Sequence, residues 1–511
     1  LSREISSYSL SGVKESFRDQ MKKYFKQYSL LYTIAHYFGI ICVLMGFILV
    51  LPMILAFFVD KNIELVICFL WPALFSWGIG SVLMFSFEKT ELDLTSAITL
   101  AALVWLVISI IGALPFWIAR GFFGSEYGLT FLSAVFESMS GFTATGLTMY
   151  GMRVEGLPRS ILFWRSLTQW VGGVGVIVLF LSVLVSRTGT IAHRLYTAEG
   201  RDQRLVPSIV RTTRRIWLIY LFYTFLCLIV LYIIGMPLFD SVNHSMTGLA
   251  TGGFSVRNHS IMTYSLDIHP NAVLLELAII PFMILGGISF AMHHELFMGR
   301  IISFFKNIEV KAMFVILFVV GLILVLHQGL YVENFRYASF QVTTALTGTG
   351  FNTVSISAWD DFSKFLLTIL MVFGGGYGST ASALKLFRVV VIFWSLGWLV
   401  RRMLFPQSAR FSLSVGGKIF HPEDVMKVAI YSLLYIIVLV AGSLVFMAGG
   451  ATTIDSLFEV SSALGNVGLS VGLTSSCMPW WEKVVLIIEM WAGRLEIFPV
   501  LVLLTSPFRK H

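Results

Sequence analysis

Apolar residues in this chain gather into long unbroken runs separated by short polar clusters, the pattern of membrane-spanning helices. Runs at Leu30–Val59 and Leu65–Phe85 come first and form a hairpin that nothing later in the chain resembles. From residue 97 onward one unit recurs: a long apolar run, a short segment, a glycine-bearing loop and a second long run. In the first unit these are Ala97–Ala119, Leu129–Gly141, the loop Thr143–Gly146 and Ile161–Val185. The second unit has Ile216–Ile234, Leu238–Gly248 and Asn271–Phe297. The third has Ala312–Leu330, Phe335–Ala345 and a return from Asp361 to Val400, and the fourth Val425–Met447, Ile454–Ala463 and Trp481–Leu504. At about 1.5 Å per residue the short segments cross only half a bilayer, so they enter and stop. The pattern predicts an all-α polytopic membrane protein with ten transmembrane helices. It divides into an N-terminal segment and two-helix hairpin (1–96) and four pseudo-symmetric repeats around one central pore (97–215, 216–311, 312–423 and 424–511).

The loops are copies of one another. Glu137–Thr148 reads ESMSGFTATGLT, His244–Ser255 HSMTGLATGGFS, Gln341–Asn352 QVTTALTGTGFN and Glu459–Ser470 EVSSALGNVGLS. The register glycines Gly146, Gly253, Gly350 and Gly468 are 107, 97 and 118 residues apart, so a domain-sized unit is repeated. Glycine permits φ > 0 and leaves bare backbone, which lets carbonyls turn where a side chain would block them. Four such loops around an axis would give rings of carbonyl oxygens able to replace the hydration shell of K+. The competing reading is a small-residue packing seam between membrane helices. A half-helix entering from outside aims its negative C-terminal end at the axis, favouring a desolvated cation there. Each copy opens on a polar residue, Glu137, His244, Gln341 or Glu459, expected to buttress the loop from behind. His and Gln in that set argue against a carboxylate ring facing the ion.

Composition agrees with a membrane class: 57% of the 511 residues are hydrophobic and 13% charged, against roughly 25% in soluble proteins. The net charge of +8 reads as loop charge on the cytoplasmic side. With the N-terminus inside, 24 Lys/Arg fall in cytoplasmic segments and 9 in external ones, which puts the four glycine loops at the outer face. Leu1–Ser29, polar and basic with no signal-like apolar core, suits a cytoplasmic surface helix. Asp360, Asp361 and Asp455 are placed near the outer mouth, as cation attractors or simply solvated loop charges. Four cysteines give no disulfide or zinc framework.

Two features lie deeper. Phe373–Ala383, FGGGYGSTASA, interrupts the third return run, and irregular backbone at that depth is tolerated where it is buried or lines a cavity. Its GGxGST string lacks the adjacent Lys of a phosphate loop, so a mobile plug beneath the filter, or a plain kink, is the reading kept. Arg494 falls mid-membrane by helix rise, a functional-site candidate because an intramembrane charge is expensive. The structural alternative is an ion pair with Glu489 or Glu496.

These stretches resemble the Trk/Ktr/HKT superfamily of potassium transporters, in particular its TrkH-type membrane subunit. WRSLTQWVGGVGVIVL (Trp164–Leu179), GGGYGSTASALKLFR (Gly374–Arg388) and GRLEIFPVLVLL (Gly493–Leu504) carry the likeness beside the fourfold loop. The first loop departs with TATGL for the usual TTTGA, and the fourth with GNVGL, which has no filter threonine. The resemblance implies potassium uptake across a prokaryotic inner membrane, with both termini cytoplasmic. It also implies homodimers with one pore per protomer and a TrkA-like cytoplasmic ring that carries the regulatory nucleotide. No covalent cofactor and no enzymatic activity are expected. The filter would comprise Thr143, Ala144, Thr145 and Gly146; Ala250, Thr251, Gly252 and Gly253; Thr347, Gly348, Thr349 and Gly350; and Gly465, Asn466, Val467 and Gly468. K+ would be held by the backbone carbonyls of Ala144, Thr145, Thr251, Gly252, Gly348, Thr349, Asn466 and Val467. Gly374, Gly375, Gly376 and Arg494 would form the gate. A K+ symporter coupled to H+ or Na+, and the K+-translocating subunit of an ATPase, are the alternatives.

Overall fold

A computed structural model describes residues 34–87, 94–175, 209–267, 269–405 and 412–505. The expected N-terminal surface helix, most of the Arg187–Arg215 connector and the end of the first return run lie outside the described residues. Two apolar helices, α1 (Ile34–Phe58) and α2 (Ile63–Ser86), form the hairpin. Asn62 starts α2 by accepting hydrogen bonds from the Glu64 and Leu65 amides, at 2.9 and 3.1 Å. The two helices cross where Gly39 and Gly80 meet, since a Cβ on either would lie 2.7 Å from the other's carbonyl oxygen. Asp60 in the hairpin's turn accepts from the Arg159 and Ser160 amides at 3.1 and 2.9 Å. It therefore caps the next unit's return helix, which begins after Pro158 and has no cap of its own.

The helices that follow fall into four groups in chain order. The first has α3 (Leu94–Phe123), the half-helix α4 (Phe131–Phe142) and the return helix α5 (Arg159–Val174). The second has α6 (Ile209–Ile234), α7 (Leu238–Leu249), α8 (Ala272–Gly287) and α9 (Phe290–Phe297). The third has α10 (Ile308–Gln328), α11 (Val332–Thr347), α12 (Asp361–Phe373) and α13 (Leu386–Leu404). The fourth has α14 (Pro422–Ala448), α15 (Thr453–Leu464), α16 (Trp480–Arg494) and α17 (Phe498–Thr505). A short antiparallel hairpin, β1 (Leu413–Val415) and β2 (Lys418–Phe420), joins the third to the fourth, so the chain is mostly rather than wholly helical.

The return runs differ from expectation. Only the third was read as broken, yet Asn271–Phe297 bends by 106° between α8 and α9. The fourth breaks at Leu495–Ile497, where Glu496 and Ile497 take φ of +61° and +60°. The first stops at Gly175, with φ +100°. Among the described residues six helices are long and apolar enough to cross a membrane alone, or seven if the bent pair counts as one. Apolar composition joined these runs because it carries no record of φ.

Packing follows a cyclic rule. Helix α5 lies against α7 of the next repeat, α8 against α11, α12 against α15, and α16 returns to α4. A polar contact accompanies each crossing. Arg165 donates to the Ser255 carbonyl at 2.9 Å, and Arg336 pairs with Glu276 at 3.1 Å. Lys364 pairs with Asp455 at 2.8 Å, and Lys483 donates to Ser133 at 3.1 Å. Three of the four return helices, the first, second and fourth, also pass over the end of their own half-helix through a glycine. A Cβ at Gly172, Gly286 or Gly493 would stand 1.8, 2.8 or 1.9 Å from the carbonyl oxygen of Phe142, Leu249 or Leu464. Backbone cannot yield as a side-chain tip does, so Gly172→Ala should cost roughly 4 kcal/mol or more. Gly321→Ala, where nothing lies within 4 Å, should leave the melting temperature in detergent unchanged. Equal melting of the two variants would show that the crossing is looser than described.

Candidate functional site

The half-helices α4, α7, α11 and α15 end in loops of one backbone shape. The residue two before each register glycine is left-handed: Ala144 (φ +54°), Thr251 (+51°), Gly348 (+71°) and Asn466 (+52°). The register glycines follow at +98°, +75°, +80° and +95°. Between them, the amides of Thr145, Gly252, Thr349 and Val467 donate to the carbonyls of Ser140, Thr247, Thr344 and Ser462 at 2.8–2.9 Å. The remaining amides are tied in part by side chains, as Ser140 and Ser462 accept from Gly146 and Gly468 at 3.0 Å.

The four loops meet in a closed ring. A Cβ at Gly146 would fall 2.2 Å from the Gly252 oxygen, and one at Gly253 would fall 2.3 Å from that of Thr349. At Gly350 it would be 2.0 Å from the Val467 oxygen, and at Gly468 2.3 Å from that of Thr145. Each register glycine thus touches the carbonyl preceding the register glycine of another copy, and the fourth returns to the first. Above the ring lies a cavity of about 210 Å³ lined by all four glycines together with Arg165, Arg257, Ser470 and Thr474.

Behind the ring, the opening polar residue of each copy reaches the hydroxyl after its loop. Glu137 accepts from Thr148 at 2.9 Å and from the Met149 amide at 2.7 Å. His244 meets Ser255 at 2.9 Å, Gln341 meets Thr353 at 3.4 Å, and Glu459 accepts from Ser470 at 2.8 Å. All four are fully buried, which fits buttresses and not ion ligands. Arg165, counted among the external charges by its position in the sequence, is buried and pairs with Glu137 at 2.8 Å. Its guanidinium also sits 4.2 Å from the centroid of the Phe254 ring. Gln169 donates to the Gly252 carbonyl at 2.5 Å and accepts from the Phe254 amide at 2.9 Å. The sequence reading assigned neither residue a role. Asp455 is taken by Lys364, and Asp360 caps α12 while bonding His327 at 3.0 Å, so these two carboxylates have structural partners.

Below the ring, the interruption of the third return run folds against the break in the second. The Gly376 and Thr380 amides donate to the Gly287 and Gly286 carbonyls at 2.8 and 3.2 Å. The glycines are packed tightly: a Cβ at Gly374 would lie 2.5 Å from the Ser382 oxygen, and one at Gly375 2.8 Å from that of Gly287. Thr380 donates from its hydroxyl toward Leu249 and Gly286 carbonyls at 3.1 and 2.8 Å, and receives that of Thr251 at 3.1 Å. Arg494 lies here too. It donates to the carbonyls of Thr380 and Gly173, each at 2.9 Å, and of Gly172 at 2.5 Å. The anticipated partner Glu496 instead pairs with Arg388. No group of three or more His, Cys, Asp and Glu that could hold a metal ion occurs among the described residues.

Removing Glu137 strands a buried guanidinium, which typically costs about 3–5 kcal/mol. Glu137→Ala should therefore lower the melting temperature sharply, whereas Glu137→Gln keeps an acceptor for Thr148 and Met149 and should lower it less. Indistinguishable melting of both variants from the parent would remove the buttress role.

Residues 69–508 match the family model described as TrkH, cation transport protein. An uncharacterised cation transporter of Methanocaldococcus jannaschii is 34% identical over 478 residues, 93% of this chain and 96% of the relative. The Trk system potassium uptake protein TrkH of Escherichia coli K12 is 31% identical over 449 residues, 84% of this chain and 90% of the relative. The crystal structure of the potassium transporter TrkH from Vibrio parahaemolyticus superposes with a TM-score of 0.81 at 27% identity, covering 94% of this chain and 100% of that one. These matches extend over most of the chain, and the chain is a membrane protein that belongs to the TrkH family of cation transport proteins.

Proposed function

We propose that this chain takes up potassium through a channel-like pore running down the axis of the four loops. One observation carries the reading: the four register glycines and the carbonyls of Thr145, Gly252, Thr349 and Val467 form a cyclic set of contacts. Carbonyls so arranged replace the water shell of a monovalent cation without placing a fixed charge on the axis. The carbonyls of Ala144, Thr251, Gly348 and Asn466, one residue earlier, would supply a second level. Relatives named for potassium uptake support K+ as the ion. The ten spans, with the return runs counted as single jointed crossings, and the four pseudo-symmetric units belong to the same reading. So do an inner-membrane location with both termini cytoplasmic, and a homodimer. A cytoplasmic nucleotide-binding partner would control opening, docked where Arg211, Arg214 and Arg215 lie at the start of α6.

The gate in this reading is Arg494 with the Gly374–Gly376 segment. A fixed unit charge about 5 Å from a passing K+, at an effective dielectric of about 20, raises its energy by roughly 3 kcal/mol. That slows passage by roughly a hundredfold even before the loop narrows the path. The glycines serve close approach, and opening means withdrawing the whole loop from the Gly286–Gly287 carbonyls.

Two measurements on purified protein in liposomes test the reading. A K+ gradient should drive passive flux that reverses at the Nernst potential; flux that requires a proton or sodium gradient would favour a symporter, and flux that requires ATP hydrolysis by a partner an ATPase subunit. In Gly146→Ser the added Cβ would meet the Gly252 oxygen, and the K+/Na+ permeability ratio should drop by roughly tenfold or more. A folded variant with the parent's ratio would make the loops a packing seam.

Arg494→Ala, and separately deletion of Gly375, should each raise K+ flux in the absence of any regulatory partner. The pair together should gain less than the product of the two single effects, because both remove one constriction. If neither variant conducts better than the parent, Arg494 holds the structure together and the gate lies elsewhere.

A further inference from the structure

Gly252 differs from its counterparts. The residue preceding the register glycine is Thr145, Thr349 or Val467 in the other copies, and glycine only in the second. Its backbone does not require glycine, because Gly252 is not among the left-handed residues of the loop. Space requires it. A Cβ there would lie 2.5 Å from the Gln169 amide carbon, so the side chain of Gln169 stands where a residue at 252 would begin its own.

Gln169 is itself an exception. It sits three residues before Gly172, and three residues before the corresponding crossing glycines Gly286 and Gly493 stand Met283 and Met490. All three side chains are fully buried, but only Gln169 carries polar atoms into the ring. Its orientation is fixed by its partners: the Phe254 amide must meet the oxygen, and the Gly252 carbonyl must meet the nitrogen. One side chain thereby holds the backbone on both sides of Gly253. In two other copies the equivalent residue is tied through its own hydroxyl, Thr145 to Thr143 and Thr349 to Thr347, both at 2.7 Å. In the fourth, the Asn466 amide reaches Thr145 at 2.8 Å and the Met490 carbonyl at 2.9 Å. Gly252 has no side chain with which to do the same.

Resting on the filter reading above, we propose that Gln169 is a specificity-determining positioning residue. By donating to the Gly252 carbonyl from behind, it fixes the angle of one of the four ring oxygens and draws on one of its lone pairs. The ring is then unequal, with three oxygens free to turn toward a cation and one held. A held oxygen cannot follow a smaller ion inward, so Gln169 contributes to discrimination against Na+.

The test uses full-length protein in liposomes, with K+, Rb+ and Na+ as the permeant ions. Gln169→Met installs the residue of the corresponding positions and removes the tether. It should melt below the parent, because the buried Phe254 amide loses its acceptor, while its K+/Na+ permeability ratio falls roughly threefold or more. Gln169→Leu also removes the donor to Gly252 without adding a charge or a carboxyl proton, and should shift the ratio in the same direction; it carries the test should the methionine variant not fold. The combination Gln169→Met with Gly252→Thr reproduces the pairing of the third copy and should fold where Gly252→Thr alone does not. The inference is overturned if folded Gln169→Met and Gln169→Leu keep the parent's ratios while Gly146→Ser shifts them. If Gly146→Ser also leaves the ratios unchanged, the filter reading has failed and this inference fails with it.

Discussion

Everything in this fold depends on holding unsolvated backbone carbonyls in place at membrane depth. Water cannot satisfy them there, and each polar group left unmet costs several kcal/mol. The solution is to let neighbouring loops touch through glycines, so that the oxygen of one copy lies against the Cα of another. Such a contact has no slack: any Cβ at a register position would sit at 2.0–2.3 Å from an oxygen. The outer helices, the hairpin and the crossing glycines all press on that ring from the side. Asp60 of the hairpin caps α5, α5 carries Arg165 and Gln169, and those two reach the second loop. The N-terminal addition is thus coupled to the ring through one helix.

Charge is used sparingly and across boundaries. Arg165, Glu276 with Arg336, Lys364 with Asp455, and Lys483 each join a return helix to another repeat. Buried ion pairs contribute little net stability once desolvation is counted, but an unpaired member is strongly penalised. Their effect is therefore on registration: a repeat shifted by one helical turn would leave several buried charges without partners at once. Apolar packing alone would tolerate such a slip, because lipid tails are as apolar as leucine.

The sequence disclosed the ring because four copies of a twelve-residue stretch are visible without any structure, and their glycine spacing names the unit. The meeting of the register glycines and the contact of each opening polar residue with the hydroxyl after its loop both follow from that register. The breaks do not. Ile288–Ser289 and Leu495–Ile497 contain no glycine or proline, and their positive or extended φ is imposed by what packs around them. Gly286–Gly287 just before the first break was the available signal, read instead as part of a continuous run. Arg165 was misplaced for a related reason: with spans drawn at Ile161, its charge seemed to belong to a loop end, and only the cyclic packing of α5 on α7 buries it. Gln169 is visible in sequence only as the exception among Met283 and Met490, a comparison that needs the crossing glycines aligned first.

The two ends of the proposed pathway are built on different principles, and that difference bears on how it opens. At the top, four backbone contacts close the ring, so widening it means moving all four copies together. At the bottom, closure is a knot. Arg494 from the fourth repeat holds carbonyls of Gly172 and Gly173 from the first and of Thr380 from the third. Thr380 in turn holds Leu249 and Thr251 of the second. Two side chains therefore join all four repeats, and a displacement of the single Phe373–Lys385 segment releases most of those bonds at once. On the proposed reading, a force applied at one point, such as the end of α13, would open the lower end while the ring above keeps its geometry. On the proposed reading, selectivity would be distributed over the contacts of four loops and opening concentrated in one cluster.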